Sequence, residues 1–237
     1  MIKIDGILLV NKTEHCTSFD IVRRVKKTLR IKKVGHGGTL DPFARGLLII
    51  LLGKATRLFE RLKGLPKEYE GVVMLGVETD TFDRDGRVVA QKNSIIPSKE
   101  RILEVLKEFE GRITQIPPRF SAVKIDGHRA YDLARRGKEF EVRTREVEVF
   151  KVEMESYSFP HVSLVVKAGK GFYMRSLAHD LGQRLDTLGH LYSLTRRAVG
   201  PFTLKDAIDS TKIIGEKNLE NEIMPYDKAL EVLKQFK

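Results

Sequence analysis

Cysteine is nearly absent: Cys16 stands alone among 237 residues, which excludes an intramolecular disulfide and removes the thiolates of a zinc cluster. The six histidines never fall three or four positions apart, so no helical metal pair exists and the chemistry is expected to need no metal. No apolar run is long enough to span a bilayer, and residues 1–5 carry no signal-peptide pattern, so a cytoplasmic protein without a membrane partner is expected. Repeats and low-complexity tracts are missing too. Acids are in deficit: 32 Asp and Glu against 43 Lys and Arg leave a net charge of +11.

What is present is enough for one substantial core, since 41% of the residues are hydrophobic. The basic excess is also concentrated. Residues 21–33 hold seven basic side chains and no acid, and residues 119–145 hold eight basic against four acidic. Two such patches favour a polyanionic partner, a nucleic acid, over a uniformly solvated surface.

The stretch that organises the chain is 35–46, G-H-G-G-T-L-D-P-F-A-R-G. Four glycines allow close approaches and unusual backbone angles, Pro42 stiffens the exit, and one carboxylate, Asp41, sits at the corner. The apolar run 47–52 that follows reads as a buried strand, so the loop is anchored on the core. A structural turn explains Asp-Pro equally well on composition alone. Three other functional loops fail on spacing. A phosphate-binding P-loop would need glycine at Leu48 and Ser or Thr at Ala55; a dinucleotide fingerprint would need glycine at Leu40. His36-Gly37-Gly38 could be an esterase oxyanion loop, yet no serine lies in G-x-S-x-G.

Along the chain, residues 7–10 read as a strand, and Ser18 as the N-cap of a helix with Phe19, Val22, Val25 and Leu29 on one face and Arg23, Arg24, Lys26, Lys27 and Arg30 on the other. A short helix over 55–62, a strand over 69–77 and a strand at 88–90 follow. Residues 98–109 form an amphipathic helix closed by Gly111; Pro117-Pro118 interrupts the chain, Asp126-Gly127 makes a turn, and 131–136 is a short helix stopped by Gly137. Residues 147–159 and 161–168 pair as a hairpin, 172–185 is a helix with Leu177, Leu181 and Leu185 inward, 191–199 is a last strand, and 226–236 a terminal helix.

The sequence G-H-G-G-T-L-D-P-F-A-R-G-L-L resembles the signature of the TruB family of tRNA pseudouridine synthases, usually close to G-H-T-G-T-L-D-P-x-A-x-G-V-L. Three further blocks agree in order: 69–86 (Y-E-G-V-V-M-L-G-V-E-T-D-T-F-D-R-D-G), 117–137 (P-P-R-F-S-A-V-K-I-D-G-H-R-A-Y-D-L-A-R-R-G) and 169–182 (G-K-G-F-Y-M-R-S-L-A-H-D-L-G). The resemblance spans nearly the whole chain and implies an α+β pseudouridine synthase fold: a large mixed, mostly antiparallel sheet flanked by helices, with a central catalytic cleft. It implies one catalytic domain over 1–237, with a thumb insertion at about 119–145 that grips the T-arm of tRNA. The family's C-terminal PUA domain is expected to be absent, since only a short stretch follows the last helix.

The same resemblance implies the roles of individual residues. Asp41 matches the catalytic nucleophile that isomerises the T-loop uridine at position 55 of tRNA. Tyr69 matches a tyrosine that stacks on the uracil and assists proton removal, Arg175 an arginine that pairs with the aspartate, Tyr173 a tyrosine packed beneath the base, and Leu177 a pocket-lining leucine. His36 matches a histidine that fills space around the flipped base, and Arg129, Arg135, Arg136 and Lys138 supply basic grip in the thumb. No cofactor is implied. The thumb sets the chain apart from guide-RNA-dependent dyskerin relatives, so a stand-alone monomer is expected. Sugar attack, ring addition and a glycal route are all compatible with a nucleophilic aspartate. An RNA-folding factor without chemistry and a ribosome-associated binding protein are the competing readings; Asp41, Tyr69 and Arg175 together speak against the first, while basic charge alone would allow the second.

Overall fold

A computed structural model describes every residue except 1–3, 93, 94, 122, 126, 217 and 237. The chain forms two compact units, one of residues 1–69 and 195–237, the other of 70–194. The strands Lys67–Leu75 and Gly189–Val199 each contribute to both.

In the first unit the strand Arg45–Leu52 is the axis. Seven of its eight residues, Gly46 onward, are buried, the continuous apolar run expected of a strand covered on both faces. On one side it pairs antiparallel with Gly6–Lys12, from Gly6 opposite Leu52 to Lys12 opposite Gly46. Its other side is shared: Val34–His36 pairs antiparallel with its last residues, and Thr195 and Arg196 pair parallel with Arg45 and Gly46. Ile208–Asp209 and Met224–Pro225 extend Gly6–Lys12. Ile7, Leu9, Leu47, Ile49 and Leu51 point into one cluster with Leu58, Leu62, Phe202, Ala229 and Leu233, so the terminal helix Tyr226–Gln235 closes this core.

In the second unit the strand order runs from Gly189–Val199 through Lys67–Leu75, His161–Ala168 and Arg145–Ser158 to Gly111–Gln115. The hairpin of Arg145–Ser158 with His161–Ala168 turns where Ser158 faces His161 and carries two bulges. The helices are Lys99–Lys107, Ala130–Arg135 and Met174–Arg184, and Val77–Thr79 pairs with Val88–Gln91 as a separate ribbon. Mixed, mostly antiparallel pairing flanked by helices is the α+β architecture expected from the sequence.

The differences from expectation are local. Thr17, not Ser18, caps the first helix, Ser18–Thr28, in a capping box with Asp20. Ser18 is buried one position inside, and its hydroxyl accepts from the Leu40 N–H at 2.9 Å and donates to the Leu40 carbonyl at 3.1 Å. Phe19 is 61% exposed, because Ile21 takes the inward position beside Val22 and Val25. Gly111 opens a strand where the sequence pattern shows only a helix stop. Short strands at Phe202–Thr203, Ile208–Asp209 and Met224–Pro225 follow the one expected to be last. The Asp126 half of the expected turn lies outside the described residues. The short helix ends as expected: Gly137, at φ 65°, donates to Ala134 and Lys138 to Leu133, the paired bonds of a Schellman stop.

Candidate active site

Asp41 lies in the loop between the strands Val34–His36 and Arg45–Leu52. Its carbonyl accepts the Ala44 N–H at 3.1 Å, a tight turn with Pro42 at the position where a fixed φ helps. Leu40, Phe43 and Ala44 are buried at 4%, 1% and 0% exposure, so the backbone is anchored on both sides of a half-buried carboxylate. A turn alone would not need this much anchoring.

Two buried cations complete it. Lys12, at the end of the first strand, is fully buried, and its ammonium donates to the carbonyls of Thr13 (2.9 Å), Cys16 (2.9 Å) and Pro42 (3.3 Å). Three donors meet three acceptors, and the last belongs to the residue after Asp41. Arg196 is 4% exposed; its Nε donates to Leu47 (2.8 Å), and its two terminal nitrogens to Thr39 (3.1 Å) and Gly38 (3.1 Å). One guanidinium thus holds carbonyls before and after Asp41. Gly46 permits the approach, since a Cβ there would stand 2.5 Å from the Arg196 carbonyl, and its φ is +103°.

Burial is the main force drawing both cations below their ordinary pKa values, and the Asp41 carboxylate opposes it in each case. For Lys12, Cys16 gives the larger opposing effect; for Arg196, Tyr69 does so, partly through a hydrogen bond. Asp41, Arg196 and Tyr69 are therefore electrostatically connected within one unit. Tyr69 is half-buried on Lys67–Leu75, and His36, also half-buried, ends its strand opposite Ile50. The sequence pattern singles out neither Lys12 nor Arg196. Each occupies a core position in a strand, where alternation alone predicts an apolar side chain.

The second unit holds the other predicted residues. Arg175, 4% exposed, pairs with Asp83 at 3.2 Å and donates to the carbonyls of Thr81 (3.3 Å) and Phe120 (3.0 Å). Tyr173, the N-cap of Met174–Arg184, is half-buried with Arg145 over its ring at 5.7 Å. Leu177 is fully buried. Arg135, Arg136 and Lys138 are exposed at the end of the helix Ala130–Arg135, while the Arg129 side chain lies outside the described part. Among the described residues no group of three potential metal ligands is found, and no helix is long and apolar enough to cross a membrane.

Residues 26–174 match the model of the TruB family pseudouridylate synthase N-terminal domain. The chain belongs to the TruB family of pseudouridylate synthases. It is 40% identical over 227 residues to the tRNA pseudouridine synthase B of Clostridium tetani, covering 96% of this chain and 78% of that one. It is 39% identical over 236 residues to the enzyme of the same name from Aquifex aeolicus, covering 99% and 82%. Among solved structures it resembles a chain of a Cbf5-Nop10-Gar1 complex, with a TM-score of 0.74 and 30% identity, covering 96% of this chain and 62% of the other. A chain of an H/ACA RNP bound to a substrate RNA containing 2′-deoxyuridine gives a TM-score of 0.70 at 28% identity, covering 96% and 61%. Family and fold thus agree with the four sequence blocks.

Two outcomes follow from the buried cations. Arg196→Lys keeps the charge but not the fork that reaches three carbonyls; it should cost about 2–4 kcal/mol in urea unfolding. A change within error of zero would show that the fork does not secure the loop. Lys67 is held at about 8, by burial first and then by repulsion from Arg196 and Lys63. Between 8 and 10.5 the unfolded chain keeps a proton that the folded chain has released, so its contribution favours folding increasingly as pH rises through that window. Lys67→Met should remove that rise from the stability profile.

Proposed function

We propose that the protein isomerises the T-loop uridine at position 55 of tRNA to pseudouridine, with Asp41 as nucleophile. The observation that carries this is the Asp41 loop itself, whose main chain on both sides of the carboxylate is held by Lys12 and Arg196 within the stretch that the family model matches. The relatives named tRNA pseudouridine synthase B, alike over 96% or more of this chain, supply the substrate class.

The reaction breaks the N1–C1′ bond, turns the uracil and joins C5 to C1′; one proton leaves C5 and one is gained at N1. Atoms and electrons balance without a cofactor. A uridine in a folded loop must be flipped out before a carboxylate can reach it. Tyr69 is assigned to stacking and proton removal, Tyr173 and Leu177 to the base pocket, His36 to the space around the flipped base, and Arg175 to countering the charge of Asp41. The thumb, with Arg129, Arg135, Arg136 and Lys138, grips the T-arm through phosphates, so the enzyme works alone, as a monomer in the cytoplasm and without a guide RNA.

Asp41→Asn keeps the side-chain size and removes most of its nucleophilicity, so turnover on a T-arm stem-loop should fall by orders of magnitude. RNA binding should hold or improve, because a negative charge has left a site that meets phosphates. Pseudouridine mapped in the loop at a near-normal rate with this variant would refute the assignment.

Replacing Arg129, Arg135, Arg136 and Lys138 with alanine should weaken binding and flatten its salt dependence, by roughly 0.7–0.9 of a unit in slope for each phosphate left without its cation. An unchanged slope would remove the thumb from the grip.

A further inference from the structure

Within the second unit the thumb stretch follows the strand Gly111–Gln115 and ends where Arg145–Ser158 begins, and both roots touch the start of the helix Met174–Arg184. At the outgoing root Gln115 is 1% exposed. Its side-chain carbonyl accepts the Tyr173 N–H at 3.0 Å, and its amide donates to the Tyr173 carbonyl at 3.2 Å. One side chain thereby pairs with both backbone polar groups of a single residue, as a neighbouring strand would. Ser176 then donates to the Ile116 carbonyl at 2.7 Å, and Arg175 to that of Phe120 at 3.0 Å. Pro117 and Pro118, both buried, stiffen the chain between those bonds. At the returning root the Arg145 guanidinium lies over the Tyr173 ring at 5.7 Å, within cation–π range.

We infer that Gln115 and Arg145 are positioning residues, which link the thumb's hold on RNA to the placement of Tyr173 and Arg175. This rests on the reading of the thumb as an RNA grip and of Tyr173 and Arg175 as parts of the uridine site. Neither positioning residue touches the reacting atoms. Gln115 fixes the backbone from which both functional side chains spring, and Arg145 orients the aromatic face. The helix N-terminus at Tyr173 has no side-chain cap of its own, so its first turn takes its geometry from the thumb roots. Strain or order imposed on the thumb passes to the base pocket through these bonds and the two prolines.

Hydrogen exchange at the amides of 173–176, with and without a saturating T-arm stem-loop at low salt, tests the linkage without relying on turnover. RNA should slow exchange there by roughly tenfold in the wild type. The double variant Arg135→Ala with Arg136→Ala, saturated with the same RNA, should show no such slowing. Gln115→Met keeps the volume and removes both polar ends; it should lower kcat roughly ten- to a hundredfold with KM little changed. Arg145→Leu should do the same, and Arg145→Lys, which keeps a cation over the ring, should restore most of the rate. Equal slowing in the wild type and the thumb variant overturns the linkage, as do Gln115 and Arg145 variants that change only KM or only thermal stability. A wild type that shows the slowing yet forms no pseudouridine overturns the proposed function and leaves the linkage standing.

Discussion

Everything around Asp41 depends on burying Arg196. An arginine removed from water is costly unless each face of its fork finds an acceptor. Here the acceptors are the main-chain carbonyls of Gly38, Thr39 and Leu47, on both sides of Asp41. The requirement runs in both directions. Gly38 and Thr39 lie in the loop, outside the strands, and the arginine supplies donors to their carbonyls that no ladder does. Satisfying the charge and fixing the loop are one event, and the parallel pairing of Arg196 with Gly46 sets the register in which it happens. A side chain opposite Arg196 would force the strands apart, which is why the signature closes on glycine.

The second unit uses the same device with a different counter-ion. Arg175 is as buried as Arg196, but an acid, Asp83, joins the carbonyls among its acceptors. Asp83 is in turn held by the Thr81 hydroxyl at 2.7 Å and the Asp85 N–H at 3.1 Å, so the ion pair is part of a hydrogen-bonded turn. Each predicted tyrosine also adjoins an arginine, Tyr69 by a hydrogen bond to Arg196 and Tyr173 by ring contact with Arg145. A neighbouring cation limits the orientations open to an aromatic ring: Arg196 is buried and Arg145 half-buried, so each has less conformational freedom to lose than a solvent-exposed arginine.

Most of the architecture is legible in the sequence because its elements are strongly patterned. The continuous apolar run 47–52, the hairpin read over 147–168 and the helix carrying Leu177 and Leu181 declare themselves through the placing of their apolar residues. The helix cap falls one residue away from its expected place because Thr17 and Ser18 cap equally well, and only the tertiary bonds of Ser18 to Leu40 decide between them. Gly111 reads as a helix stop because glycine serves equally at a strand start with positive φ. The signature shows Asp41, but not what holds it. Lys12, Arg196 and Gln115 work through long-range bonds to backbone atoms, whose partners lie 30, 149 to 158 and 58 residues away for the decisive bonds. Local pattern carries no trace of such pairs.

The charges of the protein therefore divide into two populations with different physics. Arg24, Lys26 and Lys27 on the first helix, Arg30 just beyond it, and Arg135, Arg136 and Lys138 at the end of Ala130–Arg135 reach solvent, so their field is long-ranged, screened by salt and suited to a polyanion of variable sequence. Lys12, Arg175 and Arg196 are buried and act at short range, where screening is slight. Ionic strength then acts on how firmly RNA is held, while the carbonyls, carboxylates and rings around Arg196 in one unit and Arg175 in the other keep their arrangement. An excess of positive charge in the sequence predicts the first property and says nothing of the second, which rests on where each guanidinium finds its acceptors.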